Sequence, residues 1–143
     1  GISKCAGLDI IEVPGITGYI DTDYAAKGRY GLNALEDHDI VIIHIEAPDE
    51  AGHNGDKMTK VQAIEQIDEK IVGPVMERMQ QMGQYRVLVT PDHPTPIVKR
   101  THTSDPVPFI LWGTGIEPDS VAAYSEQDCR EGKFGTVKGH EMI

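Results

Sequence analysis

The chain has few cysteines, few aromatic residues and no long apolar run. Only two of its 143 residues are cysteines, and Cys5 and Cys129 form neither a CxxC pair nor a metal-like spacing. This argues against a cysteine zinc site, and two free thiols in a reducing compartment are favoured over a disulfide. No apolar stretch reaches the roughly 18 residues of a membrane-spanning helix, and no signal peptide opens the chain. We therefore predict a cytoplasmic protein with no membrane partner.

Basic charge is also scarce. The chain carries 13 Lys and Arg against 23 Asp and Glu, which gives a formal net charge of −10. Without a basic stripe to contact phosphates, a nucleic-acid partner is not expected. The remaining composition, 39% hydrophobic with 15 Gly and 9 Pro, is that of an ordinary folded domain. A chain of this length can bury one core.

The apolar pattern predicts an α/β protein. Residues 39–45 (DIVIIHI) are nearly all apolar and β-branched, which is typical of a strand covered on both faces. Further strands are predicted at 8–13, 85–90 and 107–111. Residues 59–82 repeat apolar side chains every three or four positions and predict a long helix kinked at Gly73 and Pro74. Helices are also predicted from the caps at 21–23 to about Leu35, after Ser125, and from Gly139 onwards.

Strands that alternate with helices favour a mostly parallel sheet flanked by helices, with residues 1–143 forming one domain. In such sheets, ligands gather beyond the carboxyl ends of the strands. Polar clusters lie near three of the predicted strands, and Pro48, Gly52 and Gly55 predict that the first cluster is a loop. The clusters comprise Asp49 and His53, then Asp92 and His93, and finally His102.

Carboxylate and imidazole together suit divalent metals such as Mn²⁺ and Zn²⁺, whereas Ca²⁺ sites rarely use imidazole. Two Asp and three His exceed what one structural zinc site needs, yet they are few for two complete sites. We therefore expect water or ligands from elsewhere to complete the coordination. Glu50 and Thr103 are candidates to hold the outer nitrogens of the ligating imidazoles.

Three motifs, HIEAPDEAGHNGD, VTPDHPTP and RTHTSDPVPF, occur in this order after the segment VPGITGYIDTDYAAKGRY. Together they resemble the archaeal-type branch of the cofactor-independent phosphoglycerate mutases, within the alkaline phosphatase superfamily. The resemblance implies an alkaline phosphatase-like core and interconversion of 2- and 3-phosphoglycerate by metal-dependent phosphoryl transfer through a phosphoserine. The substrate would be a small phosphorylated acid.

The same resemblance implies the roles of individual residues. Asp49, His53 and His102 would hold one divalent ion, and Asp92 and His93 would help to hold a second. Mn²⁺ is the expected ion, with Zn²⁺, Mg²⁺ or Co²⁺ as alternatives. Lys27 aligns with a family lysine that approaches the phosphate, although an exposed helical lysine is equally compatible with the pattern.

The family pattern also contains an Asp on the first core strand and a phosphorylated Ser, both placed before an inserted cap domain. No segment of this chain matches them. We therefore expect the chain to be the C-terminal portion of the catalytic core, with the N-terminal remainder of the same polypeptide as its partner. Alone, it is expected to be inactive.

Three alternatives remain open from the sequence. The chain could come from an archaeal-type homoserine kinase or another phosphotransferase of the superfamily, from a hydrolase of the superfamily, or from an inactive metal-binding domain. The intact set of five ligands argues against the last. The cap domain would largely set the substrate, and so would distinguish a mutase from a homoserine kinase.

Overall fold

The computed structural model describes residues 1–142 and contains six α-helices and two strands within them. The helices are α1 (Ile2–Cys5), α2 (Tyr24–Ala34), α3 (Ala47–Asn54), α4 (Lys57–Ile67), α5 (Gly73–Met79) and α6 (Glu126–Cys129); the strands are β1 (Arg86–Val89) and β2 (Ile110–Gly113). A π-helical turn, Asp68–Val72, joins α4 to α5, and a single 3-10 turn spans Gly139–Glu141. In the described part of the chain, no helix is both long and apolar enough to cross a membrane.

The core lies where α2 meets α3 and the long helical run of α4 and α5. Its buried members are Tyr24, Ala47, Ala63 and Ile71, with Ile43 and Ile45 packed against them. Helix α2 approaches closely because it presents glycine to its neighbours. A Cβ on Gly28 would lie 3.0 Å from the Lys70 carbonyl oxygen, and one on Gly31 would lie 2.6 Å from Cδ1 of Ile43.

Helix α2 begins where the sequence predicts, because Asp23 accepts a hydrogen bond from the backbone N–H of Ala26 at 2.8 Å. The helix predicted at 59–82 is confirmed as the continuous run of α4, the π-helical turn and α5. The irregular turn directly precedes Gly73 and Pro74. Proline at 74 has no N–H to offer the carbonyl four residues earlier, so the backbone there departs from α geometry.

Segment 47–54 is a helix, so the predicted loop is wrong. Pro48 stands in the first turn, where a missing N–H costs nothing, and Gly55 ends the helix with a left-handed backbone (φ 70°). The proline and glycine therefore mark the ends of a short helix. Asp49 and His53, four residues apart, share one face of it.

The two strands of the described chain pair antiparallel, with Arg86 opposite Gly113 and Val89 opposite Ile110. The expected parallel sheet is not present in residues 1–142. Strand β2 begins later than predicted, since Pro106 and Pro108 have no N–H for strand pairing. The predicted strands at 8–13 and 39–45 are not assigned as strands and have no strand partner among the described residues.

Residues 40–45 still show the alternation of a strand. Ile43 and Ile45 pack on the core, whereas Ile40 and Ile42 remain 69% and 68% exposed. After β2, the predicted short helix is confirmed as α6, which Ser125 caps by accepting a hydrogen bond from the N–H of Asp128. The predicted C-terminal helix is a single turn at Gly139–Glu141, and Ile143 lies outside the described residues.

Candidate metal centre

Residues far apart in the sequence meet along one face of α3. The helix supplies Asp49 and His53, and the single connection between β1 and β2, residues 90–109, supplies both His93 and His102. One donor atom each from Asp49, His93 and His102 lies within 4.8 Å of the others, which is close enough to share an ion. The structure thus brings together members of both predicted sets, and their role as metal ligands remains a prediction.

The atoms that face one another are those that bind metals. Nε2 of His53 lies 3.3 Å from Asp49 Oδ2, and Nε2 of His102 lies 3.4 Å from Asp49 Oδ1. The two Nε2 atoms are themselves 3.1 Å apart. The rings of His93 and His102 stack, with their centroids separated by 3.7 Å.

Asp49 is held as a carboxylate. Burial alone would raise its pKa, but the hydrogen bond from the Thr95 hydroxyl and the nearby imidazoles of His53, His102 and His93 lower it more, so the net pKa lies below its usual value. An ionised oxygen is the state that a divalent ion requires. The side chain is only 20% exposed, which limits competition from water.

The hydrogen bonds of His53 fix the direction of its lone pair. Nδ1 lies 3.0 Å from the backbone carbonyl of Arg100, and because a carbonyl only accepts, Nδ1 must carry the hydrogen. In the neutral ring, Nε2 then presents a lone pair to the ionised Asp49. Two acceptors at this separation are favourable only with a cation between them or a proton on the ring. The donor set therefore fits a divalent ion.

Asp92 lies at the outer edge of the cluster. Its side chain is 71% exposed, and Oδ2 lies 3.5 Å from Nε2 of His93. Both residues line an open groove of about 1070 Å³ between the β2 region and the C-terminal segment. The structure places a donor atom of His93 within 4.8 Å of donor atoms of Asp49 and His102, whereas the sequence pairs His93 with Asp92 at a second site. The division into two sites remains a prediction.

The side chain of Lys27 is hydrogen-bonded to the main chain. Its Nζ donates to the carbonyl of His44 at 2.9 Å, and burial lowers its pKa although Glu46 acts in the opposite direction. The proposed contact with a phosphate remains a prediction.

Sequence reasoning missed the residues that orient the ligands. Arg100 supplies a carbonyl to His53 from a left-handed backbone (φ 54°), and Thr95 contacts Asp49 and His93 through its hydroxyl. Glu50 and Thr103 were expected in this role. Within residues 1–142 the Thr103 hydroxyl is buried without a partner, so it orients neither imidazole, and the role of Glu50 remains a prediction. No local pattern marks a backbone carbonyl or a single threonine as an orienting group.

Comparison with known proteins gives consistent relatives. A family described as the metalloenzyme superfamily matches residues 2–143. The 2,3-bisphosphoglycerate-independent phosphoglycerate mutase 2 of Methanothermobacter thermautotrophicus is 50% identical, over 100% of this chain and 35% of its own length. The mutase of Methanothrix thermoacetophila is 51% identical, over 100% of this chain and 37% of its own. A probable 2,3-bisphosphoglycerate-independent phosphoglycerate mutase of Geobacter sulfurreducens is 54% identical, over 100% of this chain and 36% of its own length.

A solved structure, that of the PH0037 protein from Pyrococcus horikoshii, superposes with a TM-score of 0.91 at 28% identity, covering 98% of this chain and 42% of that chain. The chain thus spans about a third of the length of the curated relatives it matches.

Proposed function

The chain belongs to the metalloenzyme superfamily, and we propose that residues 1–143 form the C-terminal part of the catalytic core of a 2,3-bisphosphoglycerate-independent phosphoglycerate mutase. The enzyme would interconvert 2- and 3-phosphoglycerate. Identities of 50–54% to proteins of that name support the proposal. Because the chain covers about a third of their length, the activity is proposed for the longer protein.

The main structural support for the proposal is that the ionised carboxylate of Asp49 lies close to the imidazoles of His53, His93 and His102. Asp49, His53 and His102 would hold one divalent ion, and Asp92 and His93 would contribute to a second. Mn²⁺ is the proposed ion, since mixed carboxylate and imidazole ligands suit it. When bound, such ions neutralise charge on a phosphoryl group and help to ionise an attacking hydroxyl.

The residues of this chain would prepare the site for that chemistry. Asp49 is already ionised, and the hydrogen bond from Nδ1 of His53 to the Arg100 carbonyl leaves the lone pair on Nε2, which faces Asp49. The open groove beside Asp92 and His93 offers room for a small phosphorylated acid. A serine hydroxyl from outside the chain would attack phosphorus while the bond to one glycerate oxygen breaks. The neighbouring glycerate hydroxyl would then attack the phosphoserine and regenerate the serine. The cytoplasmic location expected for such an enzyme remains a prediction.

The test is a coupled assay of the full-length protein with Mn²⁺ and 3-phosphoglycerate, without 2,3-bisphosphoglycerate. We expect 2-phosphoglycerate to form, and we expect chelation of the metal to stop its formation reversibly. Parallel reactions contain homoserine with ATP, and 3-phosphoglycerate with measurement of released phosphate. Phosphorylation of homoserine or net phosphate release, in place of isomerisation, would reassign the protein to another phosphotransferase or to a hydrolase.

A further inference from the structure

We propose that Thr95 is a positioning residue whose single hydroxyl aligns Asp49 and His93, one ligand from each of the two predicted metal sites. The inference deepens the proposed function, because it assumes that this cluster binds a divalent ion. It concerns metal binding itself, so it can be tested apart from mutase activity.

The hydroxyl of Thr95 has one hydrogen, and its contacts determine where that hydrogen goes. Oγ1 makes a short hydrogen bond to Oδ1 of Asp49, and because Asp49 is ionised, the hydroxyl must be the donor. Oγ1 also lies 3.3 Å from Nδ1 of His93. With its hydrogen already committed to Asp49, the oxygen can only accept from His93, so Nδ1 carries the imidazole hydrogen.

This arrangement decides which nitrogen of His93 is available to a metal. In the neutral ring, a hydrogen on Nδ1 leaves the lone pair on Nε2. Nε2 is the atom that faces Asp92, with Oδ2 at 3.5 Å. Thr95 therefore does for His93 what the Arg100 carbonyl does for His53. Groups that hold the second nitrogen of a ligating imidazole commonly set metal affinity.

Three features keep the hydroxyl in place. Thr95 is only 4% exposed although it belongs to a loop. Its carbonyl accepts a hydrogen bond from Nζ of Lys60 at 2.9 Å. Helix α3 rests directly against it, since a Cβ on Gly52 would lie 2.6 Å from the Thr95 carbonyl oxygen and 2.9 Å from its Cγ2.

These contacts join the two elements that carry the ligands. Helix α3 carries Asp49 and His53, whereas the loop after β1 carries Asp92 and His93. Thr95 is where they meet, and its hydroxyl bonds to one ligand from each. Loss of the hydroxyl should therefore weaken both metal sites, while loss of a merely structural threonine would lower stability alone.

The experiment titrates Mn²⁺ into the full-length protein and its Thr95→Val and Thr95→Ser variants, with calorimetric detection. Valine keeps the shape of threonine and removes the hydroxyl, whereas serine keeps the hydroxyl. We expect Thr95→Val to weaken Mn²⁺ binding by about 10- to 100-fold, the range typical of lost orienting contacts, and Thr95→Ser to remain close to the parent. Thr101→Val, at an exposed threonine of the same segment, is the matched control and should bind like the parent. If the valine variant does not fold, Thr95→Ala provides the same test.

A second measurement needs no metal. Nitrogen chemical shifts of His93 in the metal-free protein should report hydrogen on Nδ1, and Thr95→Val should populate the other tautomer. A lower melting temperature in Thr95→Val, with Mn²⁺ affinity and the His93 tautomer both unchanged, would overturn the inference. Parent protein that binds Mn²⁺ and loses affinity in Thr95→Val, yet lacks mutase activity, would refute the proposed function and support the role of Thr95.

Discussion

At the scale of single residues, the cluster is defined by carboxylate oxygens and imidazole nitrogens that face one another across short distances. Asp49 presents both carboxylate oxygens to imidazole nitrogens, at 3.3 Å from His53 and 3.4 Å from His102. Asp49 and His53 do not belong to the hydrophobic core, which Tyr24, Ala47, Ala63 and Ile71 form. Substitution at these positions should therefore separate catalysis from folding.

The first prediction is that Asp49→Asn and His53→Ala each lower mutase turnover of the full-length protein by at least about a thousandfold, because several kcal/mol of transition-state stabilisation depend on the bound ions. The melting temperature of the metal-free protein should change little. Asp37→Asn, which removes an exposed carboxylate elsewhere, is the control for lost negative charge. Near-parental turnover of Asp49→Asn with unchanged metal content would refute the metal assignment.

His38 provides a pH-dependent link outside the site. Its Nε2 lies 3.1 Å from Asp9 and its Nδ1 lies 3.0 Å from the Ala34 carbonyl, so the protonated ring can donate from both nitrogens. The hydrogen bonds to Asp9 and to the Ala34 carbonyl raise the pKa of His38, desolvation opposes them, and the charges of Asp9 and Asp37 raise the pKa further. The pair ties segment 8–13 to the end of α2.

The second prediction follows from the direction of that shift. Because the folded pKa of His38 exceeds the ordinary 6.5, the pair stabilises the fold fully below that pH. This contribution should disappear as pH rises from 6.5 through the folded pKa. Proton NMR titration should place the His38 midpoint above 6.5, and Asp9→Asn should lower it and flatten this part of the stability profile. Equal midpoints in the two proteins would contradict the pairing.

At the scale of elements, α3 is positioned by the absence of a side chain at Gly52. Alanine normally favours a helix over glycine by about 1 kcal/mol. Here, however, its Cβ would lie 2.6 Å from the Thr95 carbonyl oxygen and 3.0 Å from Nζ of Lys60. The backbone oxygen can move only if the whole loop moves, so the clash should outweigh the gain in propensity.

The third prediction is that Gly52→Ala lowers the free energy of unfolding by about 1–3 kcal/mol, as overpacking typically does, and also weakens Mn²⁺ binding. Gly83→Ala is the control, since a Cβ there would meet nothing within 4 Å and the residue does not have a positive φ. That variant should be neutral or slightly stabilised. The free energy of unfolding of both variants is measured by denaturant titration. Equal changes in the two variants would mean that α3 does not need glycine at this position.

Elements governed by local chemistry were predictable. Helix α2 follows from the Asp23 cap and α6 from the Ser125 cap, because these bonds join residues three apart. Helix α3 was missed since Pro48 and Gly55 break structure in the middle of a helix but are favoured at its ends. The predicted strand at 39–45 is not a strand in the described residues, because strand pairing depends on a neighbour that no local pattern specifies.

At the scale of the whole molecule, the candidate site was predictable in part. The family resemblance of three motifs singled out Asp49, His53, Asp92, His93 and His102, and the structure places donor atoms of Asp49, His93 and His102 close together. The groups that orient them are linked across long stretches of chain: Thr95 to Asp49 across 46 residues, and the Arg100 carbonyl to His53 across 47. Such contacts arise from packing, and the identity of either partner alone does not reveal them.

The chain also leaves apolar surface exposed on one side. Ile40 and Ile42 are 69% and 68% exposed, although the alternate residues Ile43 and Ile45 pack on the core. Burying one isoleucine side chain stabilises a protein by about 1.5–3 kcal/mol. Since the chain spans about a third of its curated relatives, we expect the remainder of a longer protein to cover this side and to pair with residues 39–45.

The last prediction is therefore a difference in hydrogen exchange between the 143-residue chain and the full-length protein. Amides of residues 39–45 should exchange rapidly in the isolated chain, because they have no strand partner among the described residues, and slowly in the full-length protein. Amides of α2 (Tyr24–Ala34) bond within their own helix and serve as the internal control, protected in both.

Ile42→Lys should destabilise the full-length protein by burying a charge, yet leave the isolated chain unaffected, since the side chain there already faces solvent. Equal protection of residues 39–45 in both proteins would mean that this segment needs no further strand beside it.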